Sequence, residues 1–231
     1  MQPGRYLRNA LAISPDEQDR LAQCRALVVG CGGLGGFVLE YLGRLGVGYL
    51  RAVDPDTFSE GNLNRQLLSS SMNLGRPKAL AAQQRMQAVN PLARVEGVQE
   101  FLTAENAAQL LEGCQVALDC LDSIPARRTL QKACAQAGVP MVHAALGGWL
   151  GQVCVILPGE NLLDMIYPDA SAEHGEEYEQ GALAFTAGMV AAVQAAEAVK
   201  LLLGKPGLRG ELLVLDLLDG SFERLRLAKI Q

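Results

Sequence analysis

Six cysteines stand at positions 24, 31, 114, 120, 134 and 154, and no two of them form a C-x-x-C pair. Most lie inside apolar runs, which predicts buried, inert, reduced thiols of the kind found in cytoplasmic proteins. Basic residues never gather into a sustained run and the formal net charge is -5, so electrostatic capture of nucleic acid is not expected. The N-terminal Met1-Gln-Pro-Gly-Arg-Tyr6 lacks the apolar core of a secretory leader. No internal repeat or low-complexity tract is present. Residues 182–203 come nearest to a membrane span, but Gln194, Glu197 and Lys200 interrupt them and small residues replace leucines. A buried or interface helix is expected there, and no membrane role. The only two histidines, His143 and His174, have no nucleophile–base pattern near them. A satisfied core or surface role is expected for each.

What is present is apolar and periodic. The chain has 231 residues, 49% hydrophobic and 19% charged, enough to bury the core of one large α/β domain. Val/Leu/Ala-rich strand candidates at 26–29, 49–53, 94–98, 115–119 and 139–143 alternate with helical patterns at 34–45, 77–89, 104–111 and 125–137. That alternation predicts right-handed crossovers and a Rossmann-like, doubly wound, mainly parallel sheet with helices on both faces. Pro77 and Pro125 suit a first helical turn, where a missing N–H costs nothing. After about residue 145 the pattern changes. A turn at 147–149 feeds a strand that need not be parallel, and residues 169–180 form an acidic exposed loop. Strands at 211–216 and 222–227 flank the hairpin turn Asp219-Gly220, so C-terminal antiparallel strands are expected to extend the sheet.

The chemistry begins at Ala26-Leu-Val-Val-Gly30-Cys-Gly32-Gly33-Leu-Gly35-Gly36, followed by a helical segment and a strand ending in Val53-Asp54. Strand, glycine turn, helix, strand and acid, in that order, describe a nucleotide site. Glycines let the backbone approach a pyrophosphate whose charge meets a helix N-terminus, and an acid about twenty residues on bonds a ribose hydroxyl. Downstream come Asp56, Asn62-Leu-Asn64-Arg65-Gln66, Gly75-Arg-Pro77-Lys78 and Asp119-Cys-Leu-Asp122, and the chain opens with Arg5-Tyr-Leu-Arg8.

Together the motifs R-Y-x-R, G-x-G-G-x-G, D-x-D, N-L-x-R-Q, G-x-P-K and D-C-x-D resemble the MoeB/ThiF/HesA family, adenylyltransferases related to ubiquitin-activating enzymes. The resemblance runs from Arg5 to the final hairpin. It implies an enzyme that uses ATP and Mg²⁺ to activate the C-terminal carboxylate of a small ubiquitin-like sulfur-carrier protein ending in Gly-Gly. On the matching positions, Gly30, Gly32, Gly33 and Gly35 would form the phosphate loop and Asp54 would bind ribose. Asn62, Arg65, Gln66 and Lys78 would contact the nucleotide, and Asp122 would help hold Mg²⁺. Arg8 would complete a neighbour's site across a homodimer. Asp56 is read as a turn-former and Asp119 as orienting the loop around Asp122. One adenylation domain is expected over 1–231. Its nucleotide-binding half would be 1–145, and its carrier-binding and dimerisation half 146–231, with a crossover loop near 165–181.

Two features depart from the family pattern. Many members hold zinc with two C-x-x-C pairs, but residues 161–166 read Asn-Leu-Leu-Asp-Met-Ile, without cysteine. Leu, Asp and Met cannot build a tetrahedral zinc site, so no zinc is expected. Residues 176–181 also lack the cysteine that some members use for covalent transfer. Three alternatives remain: a dehydratase acting on threonylcarbamoyladenosine in tRNA, a non-catalytic activating-enzyme subunit, and an NAD-dependent oxidoreductase. The last leaves N-L-x-R-Q and G-x-P-K unexplained.

Overall fold

The computed structural model describes residues 3–169 and 171–227. The strands are β1 (Arg25–Val29), β2 (Tyr49–Val53), β3 (Arg94–Val98), β4 (Val116–Asp119), β5 (Met141–Gly147), β6 (Leu150–Ile156), β7 (Glu211–Asp216) and β8 (Ser221–Arg226). The helices are α1 (Pro15–Leu21), α2 (Gly33–Leu45), α3 (Lys78–Val89), α4 (Ala107–Leu111), α5 (Ile124–Ala137), α6 (Leu162–Ile166) and α7 (Ala184–Leu203). The strands form one sheet in the order β3-β2-β1-β4-β5-β6-β7-β8. The first five pair in parallel and the last three antiparallel. This is the expected doubly wound sheet with its antiparallel extension.

Strand alternation divides the core in two. On β1, Ala26 and Val28 face a cluster built from α2, α3 and α7, while Leu27 and Val29 face a second cluster from α4, α5 and α6. Burial of both faces explains why the parallel strands read as continuous apolar runs rather than alternating ones. Among the described residues, α7 alone is long and apolar enough to cross a membrane. Over half of its most apolar window is buried inside the fold, and it packs on α2, β5 and β6.

Several boundaries differ from the sequence reading for local reasons. Pro77 stands at the N-cap of α3, one residue before the helix. Helix α4 begins at Ala107 rather than 104, because Thr103 and Asn106 bond each other's backbone N–H groups and divert the chain into a turn. Helix α1 was not expected, although its signal was present: Ser14 and Glu17 form a capping box on either side of Pro15. Helix α6 lies in the stretch considered above only for zinc.

Two buried features hold α2. A Cβ on Gly35 would overlap the carbonyl oxygen of Gly30, so the helix can lie this close to the turn below it only with glycine there. Across the helix, Glu40 is nearly buried and receives Arg44 at 2.6 Å and Arg85 of α3 at 2.9 Å. Burial alone would raise the Glu40 carboxyl, but the Arg85 and Arg44 hydrogen bonds bring it below its ordinary value of 4.5.

A depressed carboxyl contributes stability above its ordinary value and loses that contribution as pH falls through the folded value. Glu40→Gln is therefore expected to cost about 2 kcal/mol at pH 7, on the scale of hydrogen bonds to charged groups. The difference from wild type should shrink below pH 4.5, and denaturant melts across pH measure it. Gly35→Ala is expected to cost about 1–3 kcal/mol by overpacking. It should also weaken ATP binding in titration calorimetry, whereas a surface Gly61→Ala control, whose Cβ would meet open space, should do neither.

Candidate active site

Open α/β sheets bind ligands outside the carboxyl ends of their strands, where the strand order reverses. Here the reversal falls between β1 and β4. Directly above it opens a cavity of about 720 Å³. At its floor the chain leaves β1 through Gly30, whose φ of +93° is left-handed and whose N–H bonds the Val53 carbonyl at 2.8 Å. A side chain at Gly30 would overlap the Cys120 carbonyl. Glycine is thus required both by conformation and by the closeness of the β4 loop.

Of the residues singled out in the sequence, Gly30, Gly32, Gly33, Asp54, Arg65, Gln66, Lys78 and Asp122 all line this cavity. Asp54 follows β2, is nearly buried, and accepts N–H groups from Cys31 at 2.7 Å and Asp56 at 2.8 Å. It therefore ties the glycine turn to the end of β2. Burial pushes the Asp54 carboxyl above its ordinary range, against the opposing pull of the Cys31 N–H and the Lys78 charge. Lys78 opens α3 with its side chain buried, and its Nζ lies 2.8 Å from Asp56 Oδ2. Asp56 thus does more than form a turn: it holds the lysine's ammonium group. Arg65 has no carboxylate partner among the described residues. Its Nη1 donates to the Gly61 carbonyl and to Asn64 Oδ1, which leaves its positive charge uncompensated at the cavity wall.

Three residues take other places. Gly35 lies inside α2 and permits the packing described above. Asn62 is not on the cavity wall; its Oδ1 accepts the Ser59 N–H at 2.9 Å and closes the short turn Glu60–Asn62 that leads into Arg65. Arg8 is exposed on the N-terminal 3-10 turn Gly4–Asn9, away from this chain's own cavity wall. That turn is anchored, because the buried Tyr6 hydroxyl accepts from Asn90 Nδ2 at 2.8 Å.

The structure adds wall residues that sequence reasoning missed. Phe101 and Glu100 follow β3, Arg127 comes from α5, and Tyr178 comes from the crossover segment. The Tyr178 ring stacks on His174 at 3.8 Å, and His174 Nδ1 lies 2.9 Å from the Asp122 carbonyl oxygen. The only available signal was the acidic loop itself, whose contacts are set by the fold. Both histidines have partners, His174 near the surface and His143 in the core. Burial pushes the Cys31, Cys120 and Cys154 thiols up, and Cys134 to about 12, so none of these four is a reactive thiolate at neutral pH.

The arrangement suits a polyphosphate. Backbone N–H groups at the start of α2, one buried lysine and one free guanidinium converge on a single space. Among the described residues no three His, Cys, Asp or Glu side chains gather to hold a metal by themselves. Asp122 nevertheless presents an exposed carboxylate to the cavity. One carboxylate beside a phosphate chain is a usual setting for Mg²⁺, which keeps most of its water and takes oxygen ligands.

Known proteins share this frame. The sulfur carrier protein adenylyltransferase of Thermus thermophilus is 37% identical over 242 residues, covering 96% of this chain and 86% of that protein. The molybdopterin-synthase adenylyltransferase of Salmonella typhimurium is 34% identical, with 92% and 86% covered. The sulfur carrier protein ThiS adenylyltransferase of Escherichia coli is 31% identical, with 97% and 91% covered. Among solved structures, Escherichia coli MccB with ATP superposes with a TM-score of 0.82 at 19% identity, over 99% of this chain and 73% of that one. That likeness establishes the fold alone. A model described as the ThiF family matches residues 6–231. Taken with the relatives above, it makes this chain a member of the ThiF family.

Proposed function

We propose that this protein is an ATP-dependent adenylyltransferase that activates the C-terminal carboxylate of a small ubiquitin-like sulfur-carrier protein ending in Gly-Gly. The observation that carries this reading is the meeting of the glycine turn, Asp54, Arg65, Lys78 and Asp122 in one cavity at the β1/β4 reversal. The names of the Thermus, Salmonella and Escherichia relatives support the substrate class.

In the reaction, a carboxylate oxygen of the carrier attacks the α-phosphorus of ATP. A new P–O bond forms, the bond to the β-phosphate bridging oxygen breaks, and pyrophosphate leaves with that electron pair. The attacking carboxylate is ionised at neutral pH, so no general base is needed. The difficulty is bringing an anion to a polyanion, which calls for alignment and fixed positive charge. The N–H groups around Gly32 and Gly33 cradle phosphate, and Asp54 takes the ribose. Gln66 lies beside the loop, where a Cβ on Gly32 would come within 3.4 Å of its Nε2. Arg65 and Lys78 offset charge gathering on the departing pyrophosphate. Mg²⁺, held by Asp122 and phosphate oxygens, would supply further charge neutralisation.

The anchored turn that carries Arg8 outward supports a homodimer in which this arginine reaches the partner's nucleotide. The half from 146 to 231 would carry the carrier-docking and dimer surfaces, with the crossover segment near 165–181 covering the tail. Sulfur transfer onto the activated carrier would use another protein, since every buried thiol here is held in its protonated form by burial.

Pyrophosphate exchange into ATP should depend on an added Gly-Gly-ending carrier. Arg65→Ala and Lys78→Ala should each slow it by about 10²–10³-fold, on the scale of losing one charge-stabilising donor. Exchange that ignores the carrier, or survives both substitutions, would sink the reading. Mixing Arg8→Ala with Lys78→Ala protein should restore about a quarter of wild-type exchange, because half the dimers are mixed and each has one intact site. No recovery on mixing would place Arg8 outside the partner's site.

A further inference from the structure

The proposed reaction makes no use of a fully buried pair of polar groups beneath the cavity. His143 of β5 and Asp119 of β4 are both fully buried, and His143 Nδ1 lies 2.7 Å from Asp119 Oδ2. On the other side of the ring, Nε2 lies 3.2 Å from the Tyr167 hydroxyl. That hydroxyl accepts Arg127 Nη1 at 2.6 Å and Gln152 Nε2 at 2.8 Å. Two N–H donors already point at the phenol oxygen, so among the described residues His143 Nε2 is the acceptor that faces its proton. The imidazole proton then sits on Nδ1 and is donated to Asp119.

Both ends of this chain of bonds close on one residue of the β4 loop. Asp119 Oδ1 accepts the Leu121 N–H at 3.1 Å, and the Leu121 carbonyl accepts Arg127 Nε at 3.2 Å and Nη2 at 3.0 Å. The residue immediately before Asp122 is thus gripped at its N–H and at its carbonyl, and the two grips meet at His143 and Tyr167. Beneath it, the fully buried Gln194 of α7 donates to the Asp119 and Val142 carbonyls at 2.8 and 2.9 Å. The strand ends under the loop are therefore fixed as well.

We propose that His143 and Tyr167 are positioning residues that set where Asp122 presents its carboxylate to Mg²⁺·ATP. Neither touches the cavity wall; they act through Asp119 and Arg127. The inference rests on the reading of Asp122 as the metal-holding carboxylate. A satisfied buried network transmits position because each member has a single low-energy arrangement, and losing one member leaves its neighbours unpaired.

The test is titration calorimetry of ATP binding to the full-length protein, with Mg²⁺ varied and with the metal chelated. Thermal melts are run alongside. Asp122→Ala sets the reference: it should raise the Mg²⁺ needed for half-maximal tight binding about tenfold and should not weaken metal-free ATP binding, since a carboxylate beside a bare polyphosphate only repels it. Tyr167→Phe and His143→Ala should shift the Mg²⁺ requirement in the same direction, by about three- to tenfold. His143→Asn, whose amide can replace the Nδ1 donor to Asp119, should largely recover it even if its melting temperature does not. If Asp122→Ala shifts the requirement but Tyr167→Phe and His143→Ala only lower the melting temperature, with wild-type Mg²⁺ dependence, the network is structural and this inference is overturned alone. If Asp122→Ala itself leaves the requirement unchanged, the reading of Asp122 falls and takes this inference with it.

Discussion

The site depends on a close approach of backbone to backbone at the glycine turn after β1. The Gly30 turn lies against the Cys120 carbonyl on one side and against Gly35 of α2 on the other, and no side chain fits at either contact. This crowding brings the end of β1, the start of α2 and the β4 loop to one point. Everything attached to those three segments then shares a cavity: N–H groups from the helix start, Asp54 through its bond to Cys31, and Asp122 through the β4 loop. A bulkier turn would separate the start of α2 from Asp122.

Charge is arranged around that point with an economy suited to a polyanion. Lys78 is buried, but Asp56 holds its ammonium group, so the positive charge is oriented before a nucleotide arrives. Among the described residues, Arg65 faces the cavity with neutral partners only. Preorganised charge of this kind costs nothing to rearrange during reaction and acts strongly where water is displaced. The desolvation that raises Asp54 reflects the same burial, partly offset by the lysine nearby.

On the opposite side of the β4 loop, the protein invests polar groups where an apolar core would be simpler. Asp119, His143, Tyr167, Gln152 and Arg127 are joined by hydrogen bonds spanning β4, β5, β6, α5 and the end of α6. A half-satisfied network of this kind would be worse than leucines. Its completeness, and its convergence on Leu121, make it a device for holding one loop in one place.

The sequence by itself determined the sheet, its parallel portion and most of the cavity wall, because those depend on local pattern. Continuous apolar runs mark strands buried on both faces, and the glycine turn, Asp54, Arg65, Lys78 and Asp122 follow strand ends or helix starts at readable spacings. It did not separate Gly35 or Asn62 from the wall residues beside them, since motif membership does not say which way a side chain points. Nor did it reveal Arg127, Phe101 and Tyr178 at the wall, or the partners of His143. Asp119 and His143 are 24 positions apart and Leu121 and Arg127 lie on different elements. Only the pairing of β4 with β5, and the packing of α5 beside them, brings these groups within hydrogen-bonding distance. Local physics wrote the elements and the glycine turn between β1 and α2. Contacts across the sheet, which no stretch of sequence contains, decided how firmly Asp122 is held.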